Sequence, residues 1–191
     1  LYRIILVDDE EEVRKSIIRK IDWQAVGFTV VGDAENGEDA LEKIEALEPD
    51  VVLTDIRMPY MDGLTLAEKI RQRYPSMKIV IFSGYDDFDY AKRAIKLNVT
   101  EYILKPVNVE ELTAILRRIQ ESLDEEIEQK RDVSLLRENY RRSLPILREQ
   151  FLKDLVSHQM DGKTVNDRLE QYDIPLAGAK KWISIAVKAE I

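Results

Sequence analysis

Short apolar runs, each ended by a polar or glycine-containing breaker, punctuate the N-terminal part of the chain: Ile4-Ile5-Leu6-Val7, Val51-Val52-Leu53-Thr54, Ile79-Val80-Ile81-Phe82 and the shorter Glu101-Tyr102-Ile103-Leu104. A further strand contains Val30-Val31, after Gly27. Runs of this length read as strands covered on both faces, as in a parallel sheet. Helical spacing fills the gaps. Val13, Ile17 and Ile21 recur four apart between Glu10 and Ile21; Leu41, Ile44 and Leu47 mark a helix from Gly37 to Leu47. Leu66 and Ile70 mark one from Asp62 to Tyr74, and Ala91, Ala94 and Ile95 one from Phe88 to Lys96. Alternating strands and helices predict five βα units, with a parallel sheet and right-handed crossovers.

The fifth helix begins near Asn108 or Val109 and continues past the point where the last βα unit needs it. Positions 112, 116, 119, 123, 126, 130, 133, 137, 140, 144, 147 and 151 alternate in steps of four and three, and nine of the twelve are apolar. That spacing favours a coiled-coil seam. Leu112 to Ile119 is expected to pack on the chain's own sheet, and the rest against a partner helix. The charged run from Asp124 to Arg131 interrupts the seam. Pro145 predicts a break, with a new helix capped by Ser143 and running to about Ser157. After Met160 a short helix from Thr164 to Tyr172 and a strand from Trp182 to Val187 are expected. A lone strand is not stable by itself, so residues 160–191 read as the opening of a second domain. The expected division is 1–122, 123–159 and 160–191.

With 45% hydrophobic and 35% charged residues the chain is globular rather than disordered. No apolar run approaches the roughly 20 residues that span a bilayer. Zero cysteines exclude disulfides and Cys-ligated metals. The chain starts at Leu1 and shows no signal peptide, so a cytoplasmic protein is expected. A net charge of −8 is a poor match for a phosphate backbone, so these residues are not expected to bind DNA themselves.

Asp8-Asp9-Glu10 ends the run Ile4 to Val7, and Asp55 ends the run Val51 to Thr54. In a parallel α/β sheet the C-terminal strand ends form the ligand crevice. Three carboxylates converging there repel one another and call for a hard cation such as Mg²⁺. Such a site can take a phosphoryl group onto an aspartate. Ser83 and Lys105 follow two further strand ends on the same edge. A hydroxyl can bond a phosphoryl oxygen, and an ammonium can neutralise its charge. As bland alternatives, Asp8 or Asp9 caps the first helix, Asp55 caps a loop, and Tyr102 is an ordinary strand residue.

Asp8-Asp9, Asp55-Ile-Arg-Met-Pro59, Asp62-Gly63, Ser83-Gly84, Tyr102 and Lys105-Pro106, in this order, resemble the receiver domain of two-component response regulators over about residues 2–122. Asp22-Trp-Gln-Ala-Val-Gly27 and the run from Ser83 to Ala91 resemble receivers linked to AraC-type transcription factors. The resemblance implies a flavodoxin-like (βα)5 doubly wound sheet of order 2-1-3-4-5. It implies that Asp55 is the phosphoacceptor, fed by a sensor histidine kinase. Asp9 and Asp55 would hold Mg²⁺ directly, Asp8 through water, and the Arg57 backbone carbonyl would add another oxygen. Lys105, aimed by a cis Lys105-Pro106 bond, would pair with Asp55 and then with the phosphoryl group. Ser83 stands where Thr is frequent, and Tyr102 would be a switch aromatic that turns inward as Ser83 moves. His158 lies beyond the receiver and is not catalytic; Trp23 and Phe28 read as core or loop anchors.

The leading expectation is a phosphorylation-controlled regulator of transcription. It would be self-phosphorylating and self-dephosphorylating rather than an enzyme with a separate substrate, and would dimerise through the linker helix. DNA would be reached only through an output domain outside these residues. The alternative is an enzymatic output domain. A flavin module on the same fold is rejected, since Asp-Asp-Glu-Glu-Glu after the first strand would repel a phosphate.

Overall fold

The apolar runs form one five-stranded parallel sheet of order β2-β1-β3-β4-β5. The computed structural model describes residues 1–84, 88–106, 108–157 and 161–175. Its strands are β1 (Tyr2–Val7), β2 (Phe28–Ala34), β3 (Val51–Asp55), β4 (Lys78–Ser83) and β5 (Glu101–Leu104). The helices are α1 (Glu11–Lys20), α2 (Gly37–Leu47), α3 (Gly63–Arg73), α4 (Phe88–Lys96), α5 (Val109–Ser157) and α6 (Gly162–Gln171). The expected strand Trp182–Val187 and His158 lie outside the described residues. The chain divides into two compact units, Leu1–Glu126 and Ile127–Ile191. No helix among the described residues is long and apolar enough to cross a membrane.

Every residue of β3 is buried, as a central strand requires. Side chains of β1 alternate between two cores. Ile5 and Val7 enter the cluster on the side of α2 and α3, with Ile44, Leu66, Ile70 and Ile81. Ile4 and Leu6 enter the other, with Phe28, Leu116 and Ile119 of α5. This period-two division places both faces of the sheet under helices. Local signals set the helix starts. Asn36 Oδ1 accepts from the backbone N–H groups of Glu38 and Asp39, at 2.9 and 3.0 Å, and Asp62 Oδ1 accepts from Thr65 N at 2.6 Å. Neither Asp8 nor Asp9 caps α1. Glu10 holds the cap position without a side-chain bond, and Asp8 Oδ1 accepts from the Glu10 N–H at 2.9 Å.

Two expectations for the long helix are corrected. The receiver-side packing reaches past Ile119: Leu123 is buried in the core, Tyr2 donates to Asp124 at 2.6 Å, and Lys78 pairs with Glu126. The Tyr2 hydroxyl is pushed up to about 12 by partial burial and by this bond to a carboxylate. Nor does Pro145 end the helix, because α5 runs through it for 49 residues. Ser143 is not a cap; its hydroxyl donates back to Asn139 O at 2.9 Å. Proline inside a helix costs about 3 kcal/mol in a lost bond and a clash. Arg141, whose carbonyl loses its N–H partner, is exposed, as is Pro145, so water can satisfy that carbonyl.

Within the second unit, Phe151 packs with Val165, Leu169 and Ile174, and Leu155 and Tyr172 lie against them. Arg148 donates to the carbonyls of Tyr172 and Asp173 at 2.7 and 2.9 Å, and the Tyr140 hydroxyl to Gln171 O at 2.7 Å. The C-terminal part of the apolar seam is therefore covered by the chain's own α6. Val133 of the seam, and Leu136 one turn from it, remain exposed.

Candidate functional site

Three strand ends deliver the chemistry to one edge of the sheet. Asp55 is the last residue of β3, Ser83 the last of β4, and Lys105 follows β5. The ends are laced together: Ile56 N donates to Phe82 O, and Lys105 N to Ser83 O at 2.7 Å. The Lys105-Pro106 peptide is cis. Gly63 is required beneath them, because a Cβ there would lie 2.0 Å from the carbonyl oxygen of Asp55. That close approach lets the Gly63 N–H bond Ile56 O at 2.9 Å.

The Lys105 ammonium lies 2.8 Å from Asp8 Oδ2 and 2.8 Å from Asp55 Oδ1. Asp8 and Asp55 are buried, so one cation holds two carboxylates out of water. Asp55 Oδ2 accepts from the Arg57 N–H at 2.9 Å. Burial pushes the Asp55 carboxyl above its ordinary value, against the opposing pull of Lys105, and Asp8 adds to the rise. For Lys105 burial acts downward, but its two carboxylate partners outweigh it and hold the ammonium protonated.

Asp9, Asp55, Arg57, Ser83 and Lys105 border a cavity of about 230 Å³. Asp9 is exposed and Asp8 lies behind, on Lys105. Asp9 and Asp55 bring two carboxylates to its border, and Arg57 lines it beside them. That set fits Mg²⁺, which usually takes few protein oxygens and keeps several waters. Among the described residues no three carboxylate or histidine groups form a ready-made metal cluster; Asp8 and Asp55 face a lysine instead.

The arrangement brings all the sequence-predicted residues to one strand edge except Tyr102, which packs inward against the core cluster containing Ile81 and Ala94. The Tyr102 hydroxyl is buried without a hydrogen-bond partner among the described residues. A buried unsatisfied hydroxyl costs about 1–3 kcal/mol. Tyr102→Phe is therefore expected to stabilise the protein by about 1 kcal/mol in urea unfolding, and to favour the inward ring. A loss of stability would mean the hydroxyl is satisfied.

Arg14 was not singled out from the sequence, and of Arg57 only the backbone carbonyl was. The Arg57 guanidinium stacks 5.7 Å from the centroid of Tyr90 on α4. Arg14, buried on α1, donates to the backbone carbonyl of Asp8 and to Asp33. A cation one turn after an acidic strand end, beside the apolar stripe of α1, was the available signal.

Comparison with known proteins agrees with this geometry. Residues 4–117 match the model of the response regulator receiver domain. The chain is 34% identical over 157 residues to the transcriptional regulatory protein YesN of Bacillus subtilis, covering 82% of this chain and 43% of that protein. It is 29% identical over 180 residues to the transcriptional regulatory protein HptR of Staphylococcus aureus, covering 91% and 71%. The chain thus spans less than half the length of YesN. Among solved structures it is similar to the receiver domain of the response regulator AraT of Geobacillus stearothermophilus, with 38% identity, TM-score 0.62, and 65% and 97% of the two chains covered. A two-component transcriptional regulator AraC of Clostridium phytofermentans gives 37% identity, TM-score 0.60, and 65% and 97% coverage. With its acidic strand ends bridged by a lysine, its 2-1-3-4-5 sheet and its match over residues 4–117, the chain belongs to the response regulator receiver family.

Proposed function

We propose that the chain accepts a phosphoryl group on Asp55 from the phosphohistidine of a sensor histidine kinase, and passes the change to an output domain that regulates transcription. The carrying observation is the Lys105 ammonium, 2.8 Å from both Asp8 and Asp55 at the border of an acidic cavity. The Asp55 carboxylate attacks phosphorus. The P–O bond forms as the P–N bond breaks, and the electron pair stays on the imidazole nitrogen. Lys105 follows the charge from the Asp55 carboxylate to the phosphoryl oxygens, and the Ser83 hydroxyl donates to one of them. Asp9, Asp55 and the Arg57 carbonyl would hold Mg²⁺, with Asp8 acting through water; when bound, the ion neutralises charge on the carboxylates and phosphoryl oxygens. Water later cleaves the acyl phosphate, returning Asp55. Tyr102 and Ser83 couple this cycle to α5. The test is intact mass after acetyl phosphate and Mg²⁺: one base-labile phosphate is expected, and none would remove the reading.

YesN and HptR, which extend the match beyond the receiver, are named as transcriptional regulators; this favours DNA over an enzymatic reaction as the output. DNA binding belongs to residues outside this chain, which carries a net charge of −8. Val133, Leu136 and Tyr140, exposed at three- and four-residue steps on α5, pair with a second copy in a coiled coil. A chain ending at Glu126 is expected to be monomeric in light scattering and the full chain dimeric. Equal, monomeric masses at high concentration would show that this stripe has no partner of its own kind.

A further inference from the structure

Among the described residues Arg14 is the only buried cation, and no step above uses it. Its side chain joins two strand ends. Nε lies 2.8 Å from Asp33 Oδ2 near the end of β2, and Nη1 donates to the carbonyl oxygen of Asp8 at the end of β1. That carbonyl belongs to the peptide between Asp8 and Asp9. Whatever holds it sets the direction in which Asp9 leaves the strand, and Asp9 is the exposed carboxylate that borders the cavity.

The backbone is shaped to make this grip. Tyr2, Arg3 and Ile4 pair with Phe28, Thr29 and Val30, but Ile5 pairs with Gly32, so Val31 is an extra residue in β2. The slip moves every later residue of β2 to the opposite face. Asp33 pairs with Leu6, whose side chain enters the core on the α5 side, and Ala34 pairs with Val7 on the other. In unbroken register Asp33 would share the face of Val7 and could not meet Arg14. The Asp33 backbone is pinned as well, its carbonyl accepting from Lys43 Nζ at 2.6 Å. Asp8 is thereby fixed through its N–H on Ala34 O at 3.1 Å, its carboxylate on Lys105 at 2.8 Å, and its carbonyl on Arg14.

We propose that Arg14, anchored on Asp33 by the β2 bulge, is a positioning residue that orients the Asp8–Asp9 peptide and so places Asp9 for a divalent cation. This rests on the functional reading above. Groups that orient metal ligands from behind typically change affinity 10–100-fold when removed. Lysine in this place keeps the charge but loses the fork that reaches two acceptors at once.

The test is an NMR titration with Mg²⁺ of the full chain as wild type, Arg14→Met and Arg14→Lys, with melting temperatures measured alongside. Arg14→Met should bind Mg²⁺ at least about tenfold more weakly. Arg14→Lys, the variant more certain to fold, should also bind more weakly, and the amide shifts of Asp9 and Glu10 should already differ in its metal-free spectrum. A merely structural arginine would lower the melting temperature and leave Mg²⁺ affinity unchanged; that result in either folded variant overturns the proposal. So does wild-type affinity and unchanged Asp9 shifts in Arg14→Lys, because charge alone would then suffice. Wild type that takes neither Mg²⁺ nor phosphate is a separate failure, of the functional reading itself.

Discussion

Asp55→Asn is expected to abolish phosphate addition from acetyl phosphate, read as intact mass, and at the same time to raise the melting temperature at neutral pH. The amide cannot act as the nucleophile, and among the described residues no other carboxylate combines the burial of Asp55 with a place on the cavity. The stability effect follows from the direction of the Asp55 shift. Burial raises its carboxyl above the ordinary value, against Lys105. A group raised on folding contributes stability that is fully present below its unfolded pKa, about 3.9 for Asp, and is lost as pH rises through the folded value. At neutral pH the ionised Asp55 therefore destabilises the fold, and Asn, similar in shape to the protonated acid, removes that cost. The gap between the two proteins should be widest near neutral pH and close as pH falls toward about 4. A gap that widens in acid would mean that Lys105, not burial, dominates at Asp55.

Lys105→Ala is expected to produce the largest loss of stability of any single change at the site. Asp8 and Asp55 would be left buried together without their shared cation. Breaking a buried pair costs about 3–5 kcal/mol, and the lower end applies here because the Lys105 side chain is 23% exposed. The Lys105 shift is upward, so its contribution is complete throughout the neutral range and is lost only as pH rises above the ordinary lysine value. In the variant Asp55 loses the group that opposes its rise, so the loss should be greatest near neutral pH and shrink in acid, where Asp55 takes up a proton. Urea unfolding at the two pH values measures this. Equal loss at both would assign the effect to lost packing of the lysine stem.

The site was legible to different depths. Asp55, Ser83 and Lys105 could be placed because each ends or follows an apolar run, and strand ends in a parallel sheet share one edge. Asp8 and Asp9 look equivalent as adjacent letters, yet one is buried on Lys105 and the other is exposed at the cavity. That difference depends on how the turn leaves β1. Arg14 was missed because a cation beside an apolar stripe normally reads as solvated. Its burial follows from the bulge in β2, and no composition signal marks Val31 as the extra residue.

By itself, the sequence determined the five βα units, the strand ends that carry the chemistry, and the long fifth helix, because apolar periodicity reports which backbone segments must be covered. Tertiary structure alone decided where coverage comes from. Leu123 belongs to the receiver core, and Phe151 is buried by α6 rather than held out for a partner. A heptad records that a face is apolar, not which surface meets it. Pro145 inside α5 has the same origin. Proline's local cost of about 3 kcal/mol argues for a break, but the helix on either side is fixed by contacts that local propensity does not contain.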